Sequence, residues 1–301
     1  MIDRLEMFIA LARERHFGRA AESCGVSQPS LSSAIRQLED QLGVQLVWRG
    51  SRFQGLTPEG QRVLEWARRI VADTRALRDE MRAARSGLSG VLRMGVVPTA
   101  LAMVAGLVAP FAARHPGVRV VILSRSSAEI LQQIEDLELD AGISYLAGEP
   151  LGRVATVPLY DEGYCLLVPA ESPLAGRAQL GWAEVAAQRL CLLTSDMQNR
   201  RIVNALMAAE GEAPAPMVES NSIIALIGHV ATGAWACVIP EQMAGLVSGM
   251  PGVRAVPIRS AAGATANPVG LIAPHREPHT PVLAALLDAA RRFGRAGAAG
   301  E

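Results

Sequence analysis

Four stretches of this chain set short hydroxyl and amide side chains just ahead of an apolar helical pattern. They are Pro98-Thr99, Ser126-Ser127-Ala128-Glu129, Thr194-Ser195-Asp196-Met197-Gln198-Asn199 and Asn221-Ser222. A helix start exposes unpaired N–H groups and a positive partial charge, so it suits a small anion. The same residue types also cap helices where no ligand binds, and Ser126 with Glu129 has capping-box spacing. Capping is the simpler account of any one of them. Taken together they suit a small polar or carboxylate effector, with capping the competing account. Tyr145, at the end of a strand pattern, either lids that effector's pocket or is a half-buried core tyrosine. Arg125, Asn199 and Arg200-Arg201 are the candidate charge partners, the alternative for each arginine being a solvated surface.

A second set of residues suits nucleic acid. Ser27 can cap a helix with Pro29 in its first turn, and Leu31, Ile35, Leu38 and Leu42 fall on one face of it. Pro29, Ser33, Arg36, Gln37 and Asp40 then point the other way, flanked by Ser30 and Ser32. Short hydroxyls, an amide and one arginine are what a helix in the major groove presents to bases and phosphates. Two short extended pieces about Gly50 predict a β-wing whose Arg49 and Arg52 contact phosphate, as Gln28 does from the helix start. The plain alternative is a three-helix core with a polar solvent face.

Other chemistry is not supported. There is no GxSxG elbow, P-loop or GxGxxG, so an enzyme is not expected, nor is a cofactor. Pro278 interrupts His275-x-x-x-His279, and no carboxylate or cysteine cluster completes a metal site. The acidic run from Glu135 to Asp140 lacks the glycine and spacing of a calcium loop. Cys24, Cys165, Cys191 and Cys237 stand far apart without a CxxC pair and read as small core hydrophobes.

The elements that must carry these residues follow from length and periodicity. At 301 residues the chain holds two or three domains, and 50% hydrophobic with 19% charged residues is globular composition. The N-terminus has no signal-peptide core and no apolar run spans a bilayer, so a cytoplasmic protein is expected. All 29 basic residues are arginine; residues 1–86 hold 14 of them against 11 acidic residues, and the rest 15 against 18. The resulting +3 and −3 are too mild to establish nucleic-acid binding alone. Helices are predicted over 3–13, 17–23 and from Ser27, with Gly25 in the turn, which makes a helix-turn-helix. From Thr57-Pro58 a helix runs to about Ser86. Val63, Ala67, Ile70, Thr74, Leu77, Met81 and Ala84 form a heptad seam on it, which predicts self-association. Beyond Gly90, strands and helices alternate, which predicts a mostly parallel sheet covered on both faces, with a crossover near Leu159–Glu162.

One resemblance runs through the N-terminal part. Phe17-Gly18-Arg19-Ala20-Ala21-Glu22, Val26 to Ser32, Ile35 to Glu39, Leu42-Gly43 and Leu56-Thr57-Pro58-Glu59-Gly60 together resemble the LysR-type transcriptional regulator signature. Ser33 departs from it, standing where many members carry arginine, so base preference is not transferable. The resemblance implies a mixed α and α/β protein: a winged helix-turn-helix over 1–58, a dimerising linker helix over 59–88 and a two-lobed effector domain over 91–301. Its lobes would be about 91–161 with 269–301, and about 162–268, similar to periplasmic binding proteins and with a cleft between them. It also implies antiparallel pairing of linker helices, a dimer of dimers that bends promoter DNA, and contact with RNA polymerase. The stretches Cys191 to Ile202 and Val218 to Ser222 are similar to regulators encoded beside formate dehydrogenase operons, which suggests formate as the effector. The alternative is a DNA-binding protein whose α/β region only oligomerises.

Overall fold

His16, Ser27 and Thr57 each open a helix in the same way, with a side chain that accepts a backbone N–H two or three residues on. The computed structural model describes residues 1–48, 53–213, 215–259, 267–275 and 277–298. The chain divides into two units: Met1–Leu88 with Glu135–Glu138 and Pro278–Pro281, and the remainder.

In the first unit, α1 (Ile2–Glu14), α2 (Phe17–Ser23) and α3 (Gln28–Leu42) close on Leu5, Phe8, Leu11, Ala20, Leu31, Ile35 and Leu38. Gly25 takes φ 66° in the turn between α2 and α3, a conformation that favours a residue without a Cβ. Leu42, expected on the buried face, is 40% exposed, because the last turn of α3 runs past this core. Val47 pairs antiparallel with Leu56, and Trp48 N donates to Gly55 O, so the two extended pieces do meet. The tip between them, with Arg49 and Arg52, lies outside the described residues. Glu39 ties α3 to this ribbon: its Oε1 accepts from Leu46 N at 2.8 Å and Val47 N at 3.3 Å.

Helix α4 (Pro58–Ser86) starts at Thr57, whose Oγ1 accepts from Gly60 N and donates to Gln45 O. Its expected apolar seam splits in two. Ala67, with Val71 beside it, is buried in the helix-turn-helix core, since α1 needs a covering wall. Ile70, Leu77 and Met81 remain exposed at 41, 59 and 51%, as does Trp66.

The second unit opens with β1 (Gly90–Val96), a 3-10 turn (Pro98–Ala100), α5 (Leu101–Arg114), β2 (Val118–Ser124), α6 (Ser127–Glu135), β3 (Ala141–Tyr145) and β4 (Val154–Asp161). It continues with β5 (Tyr164–Pro169), α7 (Trp182–Ala186), β6 (Cys191–Leu193), α8 (Gln198–Ala209), β7 (Val218–Ser220) and α9 (Ile223–Ala231). It ends with β8 (Cys237–Pro240), α10 (Glu241–Val247), β9 (Val253–Ile258), β10 (Pro268–Pro274) and α11 (Pro281–Ala298). One five-stranded sheet has the order β2-β1-β3-β10-β4; a second region holds β8-β5-β9 and the pair β6-β7.

The sheets differ from the parallel expectation. Pairs β1-β2, β1-β3 and β6-β7 are parallel, but β10 runs antiparallel to β3 and β4, and β5 antiparallel to β8 and β9. Apolar periodicity marks a strand but not its direction, so the returning strands were indistinguishable from the others. Strands β4 and β9 and helix α7 were not anticipated, and the expected crossover falls on the end of β4. Alternation along β5 feeds two cores: Tyr164, Leu166 and Val168 face Trp182 and Val203, while Cys165 and Leu167 face Leu226 and Ile239.

Candidate functional site

The carboxyl ends of β1, β3 and β6 and the starts of α6 and α8 converge on one small enclosure. It is lined by Val97, Pro98, Thr99, Ser126, Ser127, Tyr145, Leu193, Met197, Gln198 and Asn199. Its volume is about 10 Å³, room for roughly one water molecule. Pro98, Thr99, Ser126, Ser127, Tyr145 and Asn199 of the expected residues are thus brought together. Thr194, Ser195, Asn221 and Ser222 are not among the lining residues; Ser195, Asn221 and Ser222 are exposed.

The polar groups differ in how they are engaged. Ser126 Oγ and Glu129 form the expected capping box: Ser126 N donates to Glu129 Oε2 at 2.8 Å, and Glu129 N to Ser126 Oγ at 3.3 Å. Ser127 Oγ, in the adjacent position, is buried without a hydrogen-bond partner, as is Thr194 Oγ1 beyond the lining. A buried hydroxyl left unpaired costs about 1–3 kcal/mol, which a bound ligand would recover. Gln198 Nε2 donates to Ala147 O at 2.9 Å.

Tyr145 lines the enclosure and is fully rather than half buried. Its Oη lies 2.9 Å from Thr99 Oγ1, donates to Glu162 Oε1 at 2.5 Å and accepts from Asn199 Nδ2 at 3.0 Å. Asn199 Nδ2 also lies 3.3 Å from Glu162 Oε1, and Tyr160 Oη donates to Glu162 Oε2 at 3.5 Å. Glu162 stands between β4 and β5, where the chain passes from the first sheet to the second region, and is 3% exposed. Burial pushes its carboxyl up to about 7, while hydrogen bonds from Tyr145, Tyr164, Asn199 and Tyr160 hold it down from a still higher value. Burial, and the carboxyl beside them, raise Tyr145, Tyr160 and Tyr164, so these phenols stay neutral donors.

The sequence reading missed Glu162. A signal was present: Tyr160, Glu162 and Tyr164 recur at a spacing of two, which sets them on one side of an extended segment. The arginines expected to balance an anion are engaged elsewhere. Arg200 Nη1 donates to Glu219 Oε1 and to Leu193 O; Arg201 Nε donates to Glu149 Oε1 at 2.6 Å; Arg125 Nη1 donates to Ser124 O. None of the three lines the enclosure. None of the cysteines lines it: Cys165, Cys191 and Cys237 are buried in a core that also holds Leu193 and Met197, and Cys24 is half-buried in the first unit.

In the first unit, Ser27, Gln28, Pro29, Ser30, Ser33 and Arg36 are exposed on α3, while Ser32 is half-buried. Ser27 Oγ accepts from Ser30 N and pairs with Ser30 Oγ at 2.8 Å, so these two hydroxyls also serve the helix start. Gln37 Nε2 lies 3.4 Å from Ser33 Oγ. The helix-turn-helix frame thus presents a polar, solvent-facing α3, as the sequence predicts.

Two family profiles match: "Bacterial regulatory helix-turn-helix protein, lysR family" over residues 2–61 and "LysR substrate binding domain" over residues 85–295. The chain belongs to the LysR family of bacterial regulators. Among similar proteins are the hydrogen peroxide-inducible genes activator of Pectobacterium carotovorum subsp. carotovorum, 34% identical over 190 residues, and the DNA-binding transcriptional dual regulator OxyR of Escherichia coli, 33% identical over 198. Those alignments cover 63% of this chain and only 63 and 62% of the relatives' length. A full-length OxyR variant from Pseudomonas aeruginosa superposes with a TM-score of 0.75 at 27% identity, covering 98% of this chain and 96% of that one. CbnR complexed with its target DNA shares the fold, with a TM-score of 0.62 at 24% identity over 97% of this chain and 99% of that one.

Proposed function

We propose that this chain is a sequence-specific DNA-binding transcriptional regulator whose activity is set by a small molecule held between two α/β lobes. The observation that carries this is the enclosure where Thr99, Ser127 and Asn199 meet, with Ser127 Oγ buried and unpaired, in a chain that also presents a polar α3. In this reading Pro29, Ser30, Ser32, Ser33 and Arg36 approach base edges. Ser27 and Gln28, together with Arg49 and Arg52 of the wing, hold phosphate. The unpartnered Ile70, Leu77 and Met81 of α4 support pairing into dimers and, through dimers, a tetramer on promoter DNA. The domain boundaries proposed are 1–58, 59–88 and 91–301. A promoter-bound regulator works in the bacterial cytoplasm and touches RNA polymerase there. No helix among the described residues is long and apolar enough to cross a membrane.

The effector we favour is a very small acid or amide, formate included, since the enclosure is water-sized and sets hydroxyl and amide side chains beside Val97, Pro98, Leu193 and Met197. A molecule of that size enters by displacement of Met197, whose unbranched side chain adapts readily. The relatives named for hydrogen peroxide suggest a peroxide signal. No thiol lines this pocket, so thiol oxidation within it is not part of the proposal. The test is fluorescence anisotropy of labelled DNA from upstream of the gene, with and without formate, other small carboxylates and amides. A specific complex altered by one of them supports the reading. DNA binding with no response, and no thermal shift across the set, favours a regulator whose α/β region only oligomerises. Binding no tighter than to random DNA overturns both.

A further inference from the structure

Two hydrogen bonds, of 2.9 and 2.5 Å, connect the pocket hydroxyl Thr99 Oγ1 through Tyr145 Oη to Glu162 Oε1. A phenol has one proton to give and a hydroxyl one, so the direction of this chain is fixed from its buried end. With Glu162 ionised, Tyr145 must donate to the carboxylate and Thr99 must donate to Tyr145. Thr99 then shows only lone pairs to the pocket. With Glu162 protonated, its own hydroxyl can donate to Tyr145, Tyr145 to Thr99, and Thr99 into the pocket. Asn199 Nδ2 donates to Tyr145 Oη in either state.

We propose that Glu162 is the specificity-determining residue of this pocket, setting the charge class of the effector through the Glu162–Tyr145–Thr99 relay. The pocket accepts a neutral hydrogen-bond donor directly, and a carboxylate only together with one proton taken up at Glu162. This rests on the reading of the enclosure as the effector site.

Three features support it. The groups facing Glu162 are phenols and an amide: Tyr145 from β3, Tyr160 from β4, Tyr164 from β5 and Asn199 from α8. Among the described residues no arginine bonds to it, and Arg125, Arg200 and Arg201 are held by other groups. Burial also brings the carboxyl up to about 7, so the proton is available near neutrality.

The probes are formate and formamide, nearly equal in size and differing in charge, measured by thermal shift and calorimetry on the full chain at pH 6 and pH 8. Formate is ionised throughout this range. Its Kd should rise about tenfold from pH 6 to pH 8, with about one proton taken up per formate bound at pH 8. The Kd of formamide should not change. Glu162→Gln should bind formate without a pH slope. Tyr145→Phe cuts the relay while leaving the carboxyl in place and should also lose the slope, so the test survives a Gln variant that fails to fold. Formate affinity equal at both pH values, a slope that persists in the folded variants, or formamide binding with no formate binding at pH 6 overturns the proposal and leaves the effector site standing. Failure of both probes, and of the wider set of small carboxylates and amides, to bind wild type and variants alike removes the effector reading, and this inference with it.

Discussion

Glu162 shows how much one position can depend on its surroundings. An exposed glutamate is an ordinary surface acid. Buried at the passage between two sheets and fed by three phenols and an amide, it holds its proton to about pH 7. The sign for stability follows: an acid whose folded pKa is raised disfavours the folded state as pH climbs from its ordinary value, 4.5, through about 7. The loss is of order 3 kcal/mol. Denaturant melts at pH 5 and pH 8 should therefore show Glu162→Gln losing less stability across this interval than wild type. An equal loss would mean that the carboxyl is already ionised at low pH. On the other unit, Arg36→Ala should cost about 1–3 kcal/mol at a specific operator and much less on random DNA. Anisotropy against both sequences separates a base-reading arginine from one that only holds phosphate.

Among the elements, β3 and α6 meet at a contact with no spare volume. A Cβ on Gly142 would stand 2.2 Å from Ile130 Cγ2, 3.2 Å from Ile272 Cγ1 and 3.3 Å from Gly95 O. Gly142→Ala should destabilise the second unit by about 1–3 kcal/mol, the usual range for overpacking. The Ile130 that this Cβ would meet belongs to α6, the helix that Ser126 precedes and Ser127 opens. Chemical denaturation gives the magnitude, and a concurrent loss of effector response would trace that response to the seat of α6. The link from α3 to the wing ribbon is polar. Glu39→Ala removes an acceptor shared by two backbone N–H groups and should weaken operator binding without unfolding the three-helix core. Unchanged binding would mean that Val47–Leu56 pairing suffices to hold the ribbon.

At the scale of the whole molecule, α4 carries the proposed self-association. Leu77 and Met81 stand one turn apart and more than half exposed, on a helix too long for its own domain to cover. Apolar side chains in that position gain by pairing with a second copy. Leu77→Glu with Met81→Glu should shift the protein toward monomer in sedimentation and cost operator affinity, because two half-sites would no longer be read together. A double variant that stays dimeric would locate the assembly surface elsewhere.

The helix-turn-helix, the length of α4 and the Ser126 capping box were legible from residues alone, because each is written locally. Caps, turn glycines and apolar spacing act within a few residues of where they stand. Strand direction was not legible: β10 returns antiparallel beside β3, and the pattern of a buried strand is the same either way. The heptad on α4 was legible as periodicity, yet Ala67 went into the three-helix core. Which neighbour covers an apolar stripe depends on the rest of the fold. The hydroxyls at helix starts were visible in the sequence, but only the tertiary structure separated Thr99, Ser127 and Asn199, which converge, from Ser195, Asn221 and Ser222, which face solvent. Nor does a sequence carry the dielectric around a side chain. Glu162 became a buried, proton-holding group through contacts with residues up to 37 positions away, and desolvation of that kind exists only once the chain has folded around it.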